Sequence, residues 1–264
     1  MCIKKQTKLN RIMRNWPDGM IMSSVSLRAK GYGANLIQKY KSHFWIDAIG
    51  FGAYRKSGDH ITWPSALECL QKQLESEVHV GGKTAIELLG KAQYLKMKET
   101  NIVLLSNKKE ALPLWMKNYD WKVTLNFKVK NLFEPGLLFG EKLNGFTNLR
   151  TDKASIVISS PERAFLEYLD DLPDESSYAE AKEIMENMIS MRPSMIQHLL
   201  ENCRSLKVKR LFLHFGEKVN HPWFKKLNLK KIDIGSGKRV VFKNGVVDKK
   251  YLITVPRDES YEEV

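Results

Sequence analysis

No apolar run in the sequence approaches the ~18 residues that a membrane helix needs, and the longest apolar clusters, such as residues 102–105, are strand-sized. No hydrophobic stretch follows the opening Met1-Cys2-Ile3-Lys4-Lys5-Gln6-Thr7-Lys8, so no signal peptide is expected and the expected location is the cytoplasm. Cysteine is scarce. Cys2, Cys69 and Cys203 are odd in number and far apart, which excludes a disulfide framework and fits a reducing compartment. The six histidines (His43, His60, His79, His198, His214 and His221) have neither zinc-like spacing nor cysteine partners, so no metal and no cofactor is expected. There is no internal repeat and no low-complexity linker. Acidic residues are in deficit: 30 Asp and Glu stand against 43 Lys and Arg in 264 residues, a formal charge of +13. With 43% hydrophobic and 28% charged residues the chain is an ordinary globular one of one or two domains, so the charge excess is what needs a partner.

That excess is blocked rather than spread. Residues 1–58 hold 11 Lys and Arg against Asp18 and Asp47, net +9. Residues 160–200 reverse the sign, with 9 acids against Arg163, Lys182 and Arg192. Residues 201–250 return to net +10, with 14 basic and 4 acidic residues. A merely solubilising surface mixes signs more finely, so two basic working surfaces are expected, and a polyanion is the economical partner for the first.

The hydrophobic pattern orders the elements. Leu9, Ile12, Met13 and Trp16 repeat at helical spacing up to Pro17. Ser23 and Ser24 suit the cap of a short second helix that ends at Gly31, and a third helix over 34–44 buries Leu36, Ile37, Tyr40 and Phe44. Two short strands, 45–49 and 53–56, flank Gly50-Phe51-Gly52, and a helix with Pro64 in its first turn follows over 63–74. Helix, helix-turn-helix and hairpin in this order make a winged helix-turn-helix. Beyond Glu77 the pattern predicts helices over 84–95, 161–169, 177–191 and 195–203, and strands over 102–105, 123–129, 240–242 and 251–255. Val208, Leu211, Phe212 and Phe215 share one helical face, so 209–215 is expected to be helix. The expected fold is α+β: a winged helix-turn-helix domain over 1–77, then a larger mixed α/β domain over 78–264.

Enzyme signals are weak. Gly82-Lys83-Thr84 resembles the end of a phosphate-binding loop, but that loop needs glycine at position 77, which is Glu77. Gly235-Ser236-Gly237 is followed by no paired Asp-x-Asp, since Asp248 stands alone. No catalytic residue is therefore assigned.

Several stretches resemble one family, the AbiEi antitoxins of type IV toxin–antitoxin systems. They are Gly50-Phe51-Gly52-Ala53-Tyr54-Arg55, Val78-His79-Val80-Gly81-Gly82-Lys83-Thr84-Ala85 and Ser159-Ser160-Pro161-Glu162-Arg163-Ala164. Lys207-Val208-Lys209-Arg210-Leu211-Phe212-Leu213 and Tyr251-Leu252-Ile253-Thr254-Val255-Pro256 complete the set, in order along nearly the whole chain. The resemblance implies a phage-defence or plasmid-maintenance module. Its N-terminal winged helix represses its own operon, binding as a monomer to inverted repeats in its promoter. Its C-terminal domain opposes a co-transcribed nucleotidyltransferase toxin without forming a stable complex. The wing tip departs from the basic residue expected of relatives: it is Phe51, which is expected to pack on Tyr54 or stack on a sugar rather than intercalate.

Burying one face of the third helix leaves Asn35, Gln38, Lys39 and Ser42 as a polar stripe on the other, on the element that enters a major groove. Asn and Gln pair bidentately with adenine and Lys reaches guanine, so Gln38 and Lys39 are expected to read bases. Arg28, Lys30, Lys41, Arg55 and Lys56 flank the stripe and suit phosphates. In the second basic block, Lys207, Lys209, Arg210, Lys238 and Arg239 are expected to form an antitoxin surface facing RNA or nucleotide. Two alternatives stay open: a C-terminal enzyme that modifies the toxin or reverses its effect, and a plain winged-helix regulator with a sensing domain.

Overall fold

The Thr7 hydroxyl accepts a hydrogen bond from the Asn10 N–H at 3.2 Å and starts helix α1 (Lys8–Asn15), which stops before Pro17. The computed structural model describes residues 7–90, 101–133, 145–172, 178–243 and 245–256. Strand β1 (Met22–Ser23) leads directly into α2 (Ser24–Ala29), whose N-terminus is capped by the Ser23 hydroxyl on the Ser26 N–H at 3.0 Å. Gly31, at φ +84°, takes the left-handed turn that ends α2. Helix α3 (Ala34–Ser42) follows, then the hairpin β2 (Ile46–Gly50) and β3 (Ala53–Lys56), then α4 (Trp63–Gln73). The three strands form an antiparallel sheet in the order β1-β3-β2, with Met22 opposite Tyr54 and Ala48 opposite Tyr54 on its other side. This is the expected winged helix-turn-helix.

Its core gathers Ile12 from α1 and Trp16 just after it, Leu27 from α2, Ile37 and Tyr40 from α3, and Ile46 from β2. The expectation that Phe44 joins them is corrected. Helix α3 ends at Ser42, Phe44 takes a left-handed φ of +57°, and its ring is 80% exposed. A residue beyond the helix end no longer shares the helical phase of Leu36 and Tyr40.

The chain divides into two compact units. One runs to His79 and takes in Glu110–Leu125 and Asn148–Val157; the other is Val80–Lys109, Asn126–Thr147 and the chain from Ile158 onward. After β4 (His79–Val80), α5 (Gly82–Leu88), β5 (Asn101–Ser106), α6 (Leu114–Asn118), β6 (Thr124–Val129), β7 (Phe146–Arg150) and β8 (Ser155–Ser159) alternate. A five-stranded sheet has the order β6-β5-β4-β8-β7, with Val80 of β4 parallel to Ile158 of β8. Four helices follow: α7 (Pro161–Asp171), α8 (Tyr178–Asn187), α9 (Pro193–Asn202) and α10 (Leu206–Val219). The helical reading of 209–215 holds, with the Ser205 hydroxyl capping α10 and Asn220 ending it at φ +56°. The chain closes on the antiparallel pair β9 (Val246–Asp248) and β10 (Ile253–Val255).

Residues 240–242 are not the expected strand: among the described residues only a single bridge, Arg239 to Ile253, is made there. The Val241 and Phe242 N–H groups instead donate to the Thr254 hydroxyl. Residues 91–95 of the expected helix over 84–95 lie outside the described residues. Asp170 and Asp171, beyond the expected helix over 161–169, end α7 and pair with Lys130.

Candidate nucleic-acid interface

Helix α3 is held by its buried face. Ile37 and Tyr40 sit in the core at 4% and 6% exposure, which fixes the rotation of the helix about its axis. Asn35, Gln38, Lys39 and Ser42 consequently all face outward together, and α3 is the second helix of the turn. The side chains of Asn35, Gln38 and the Lys39 ammonium enter no hydrogen bond or ion pair among the described residues, so their donors and acceptors are available. Ser42 differs: its hydroxyl donates back to the Lys39 carbonyl at 2.9 Å.

The flanking cations split into two groups. Arg28 and Lys30 are exposed, the Arg28 Nε donating to the Ser24 carbonyl at 3.3 Å and Lys41 lying half-buried. Arg55 and Lys56 are committed inside the unit. Arg55 donates to the Asp59 carbonyl at 3.0 Å and the Tyr119 hydroxyl at 3.3 Å, and pairs with Asp47 at 3.4 Å. Lys56 pairs with Asp18 at 2.6 Å, and its hydrogen bond and charge hold the Asp18 carboxyl below the usual carboxylate range. The hairpin therefore carries two cations that the unit already neutralises. Three further cations, Lys8, Arg11 and Arg14 of α1, are exposed on the same unit; the sequence showed their charge, but the apolar period of α1 drew attention to its inner face.

The second basic block is not a continuous surface. Arg210 is 1% exposed and donates to the carbonyls of Ile234 and Gly237 at 2.8 Å and of Leu252 at 2.9 Å. Lys209 is 5% exposed, and the Lys207 ammonium donates to the Asp170 and Leu172 carbonyls at 2.6 and 2.8 Å, at the C-terminal end of α7. Lys238 and Arg239 are exposed. The expectation of a five-residue antitoxin surface is corrected for Lys209 and Arg210. Backbone carbonyls from two segments, the loop at 234–237 and residue 252, converge on Nε and Nη1 of the guanidinium, so Arg210 is a structural tie.

The motifs at 78–85 and 159–164 meet in one buried network. The Gly82 N–H, at the start of α5, donates to Glu167 at 3.1 Å, and so do the Ser159 hydroxyl at 2.7 Å and Arg163 Nε at 2.8 Å. A carboxylate of the protein itself thus takes the Gly82 N–H at the N-terminal end of α5. Arg163 is fully buried between the rings of Phe133 and Phe146, 4.3 and 4.2 Å from their centroids. Burial pushes the Glu162 carboxyl up, but the Arg192 side chain and N–H, with the Ser160 hydroxyl, more than offset this and leave it below its ordinary value.

A cleft of about 530 Å³ opens beside α10, lined by His214, Glu217, Lys218, Asp248 and the β9 valines. His214 bridges the Tyr178 hydroxyl and the Asp248 carboxylate, both at 2.6 Å, tying α8, α10 and β9 together.

Residues 5–97 match a family model described as a transcriptional regulator, the AbiEi antitoxin N-terminal domain. Residues 99–256 match one described as a transcriptional regulator, AbiEi antitoxin, of a type IV toxin–antitoxin system. The fold is similar to the crystal structure of the RV2827C protein from Mycobacterium tuberculosis, with a TM-score of 0.57 at 14% identity over 93% of this chain and 88% of that one. No curated protein matches.

Proposed function

Since the chain belongs to the AbiEi family of transcriptional regulators and antitoxins of type IV toxin–antitoxin systems, we propose that its first unit binds operator DNA and represses its own operon. The carrying observation is the α3 stripe: Asn35, Gln38 and Lys39 stand together, exposed and uncommitted, on the second helix of a helix-turn-helix whose inner face is locked in the core. Gln38 and Lys39 read bases. Arg28, Lys30 and Lys41, with Lys8, Arg11 and Arg14 of α1, meet phosphates; Arg55 and Lys56 are left out because Asp47, Asp59 and Asp18 hold them. The larger part of the chain, beyond residue 77, counteracts a nucleotidyltransferase toxin as a monomer in the cytoplasm, without catalysis and without a stable complex. Its exposed cations Lys238 and Arg239 remain available for that role, and no helix among the described residues is long and apolar enough to cross a membrane.

Gel shifts with the full chain on its own promoter test the reading. Gln38→Ala and Lys39→Ala abolish preference for the promoter fragment over random duplex while retaining weak binding, and about six phosphate contacts give a salt slope near −5. Full preference in both variants would show that α3 does not read the bases. Co-expression with the toxin reports the second role: rescue of growth by the Gln38→Ala variant separates antitoxin activity from DNA binding, and labelled ATP transferred to the toxin would favour the enzymatic alternative.

A further inference from the structure

Phe51 is 98% exposed at the tip of the β2–β3 hairpin, so it packs neither on Tyr54 nor on the rest of the unit. Nothing else on this wing is free to reach a ligand by charge. Asp47 accepts from Ser57 and pairs with Arg55, Arg55 and Lys56 are held as described, and the other outward side chain on the strands is Ala48. The tip of the wing therefore offers one large group, and that group has neither charge nor hydrogen-bonding capacity.

The tip is also fixed in place. The Gly52 carbonyl accepts the Ser24 N–H at 2.7 Å, which ties the turn to the start of α2. Gly52 has φ +82°, as the third position of a type II turn requires, and a Cβ there would come within 3.3 Å of the Ser24 hydroxyl. Gly50 lies flush on Trp115: a Cβ at Gly50 would stand 2.6 Å from the Trp115 Cβ. Both neighbours of Phe51 are held, Gly52 by Ser24 and Gly50 by Trp115, so the ring is presented from a defined position and not from a loose loop.

Resting on the operator-binding reading above, we propose that Phe51 is an apolar wedge that enters the minor groove beside the α3 site and partly unstacks one base step. A phenyl ring cannot read base edges, and on a duplex the apolar surface it gains by leaving water consists of base faces and sugar walls. Insertion needs a step that opens easily, so a TA or CA/TG step is the preferred site, and it adds specificity at a position with no base-edge contact. The wing thus replaces a cationic groove contact with a deformation contact.

The test uses the full chain, wild type and with Phe51→Ala or Phe51→Leu, on duplexes from upstream of its own gene, with 2-aminopurine placed at each TA or CA/TG step of the protected region. Wild type raises 2-aminopurine fluorescence at one step per half-site. Phe51→Ala abolishes the rise and weakens specific binding about tenfold, with the salt slope unchanged because no phosphate contact is lost, and Phe51→Leu falls between. Since the side chain touches nothing in the free protein, the melting temperature of both variants stays at the wild-type value. Unchanged fluorescence and affinity in Phe51→Ala would overturn the wedge, and so would weaker binding with a shallower salt slope. A Phe51→Ala change in oligomeric state without DNA would also overturn it, placing the ring in a protein contact. If wild type protects no region at all, the operator-binding reading itself falls; a protected region indifferent to Phe51→Ala removes only the wedge.

Discussion

Glu167→Gln removes one negative charge from a site where it is matched closely, and the structure sets the size of the effect. The Glu167 carboxylate is 3% exposed on its side chain and accepts from Arg163 Nε, the Ser159 hydroxyl and the Gly82 N–H. The Arg163 side chain is 0% exposed, so water cannot compensate the guanidinium when its partner is neutralised. Breaking a buried pair from one side costs about 3–5 kcal/mol, a large part of a total stability of roughly 5–15 kcal/mol. At about 2–4 °C per kcal/mol for a chain of this size, the melting temperature falls by roughly 6–20 °C. The two aromatic rings against Arg163 keep some favourable contact, which places the loss at the lower end of that range. Thermal and urea unfolding of the full chain, followed by circular dichroism, measure it. A double variant, Arg163→Met with Glu167→Gln, loses less than the sum of the two single variants, because it leaves no unpaired charge. A loss below about 1 kcal/mol in Glu167→Gln, or strict additivity in the double variant, would refute the account of this network as a charge-matched core.

Two further outcomes are expected. The Glu162 carboxyl is held below its ordinary value in the folded chain, so the stability it contributes is complete above the unfolded value of about 4.3 and is lost as pH falls through the lower folded value. Glu162→Gln therefore destabilises the protein at pH 7 and flattens the acid limb of its stability curve; an acid limb identical to wild type would contradict this. Burial pushes the Cys69 thiol up to about 12 and the Cys203 thiol up to about 11, so both stay unlabelled by iodoacetamide at pH 8 in the folded chain and react once it is unfolded in urea, as peptide mass spectrometry reports.

The elements of the first unit were readable because their signals are local. The cap at Ser23, the stop at Pro17 and the left-handed turn at Gly31 act within one helical turn of where they stand. The spacing of Ile12, Trp16, Ile37 and Tyr40 shows which helix face is buried without reference to any partner. Phe44 escaped the pattern because its place on the helical face depended on where α3 ends, and a helix end is set by competing interactions one residue beyond. Charge was legible only as a sum. Arg55 and Arg28 look alike in sequence, yet Arg55 lies against Asp47, Asp59 and Tyr119, while Arg28 remains exposed. The same holds for Arg210, whose carbonyl partners lie 24 to 42 residues away.

From sequence alone came the winged-helix order, the polar stripe of α3, the basic excess of the first 58 residues and the AbiEi resemblance, all of which rest on near neighbours or on composition. Only tertiary structure decided which cations are spent. Neutralisation is a short-range contact between distant residues, such as Lys56 with Asp18 or Lys130 with Asp171, and sequence spacing does not encode it. Packing around Gly50 and Gly52 likewise leaves Phe51 alone at the wing tip, because only three-dimensional contact shows which apolar side chain has nothing to bury against.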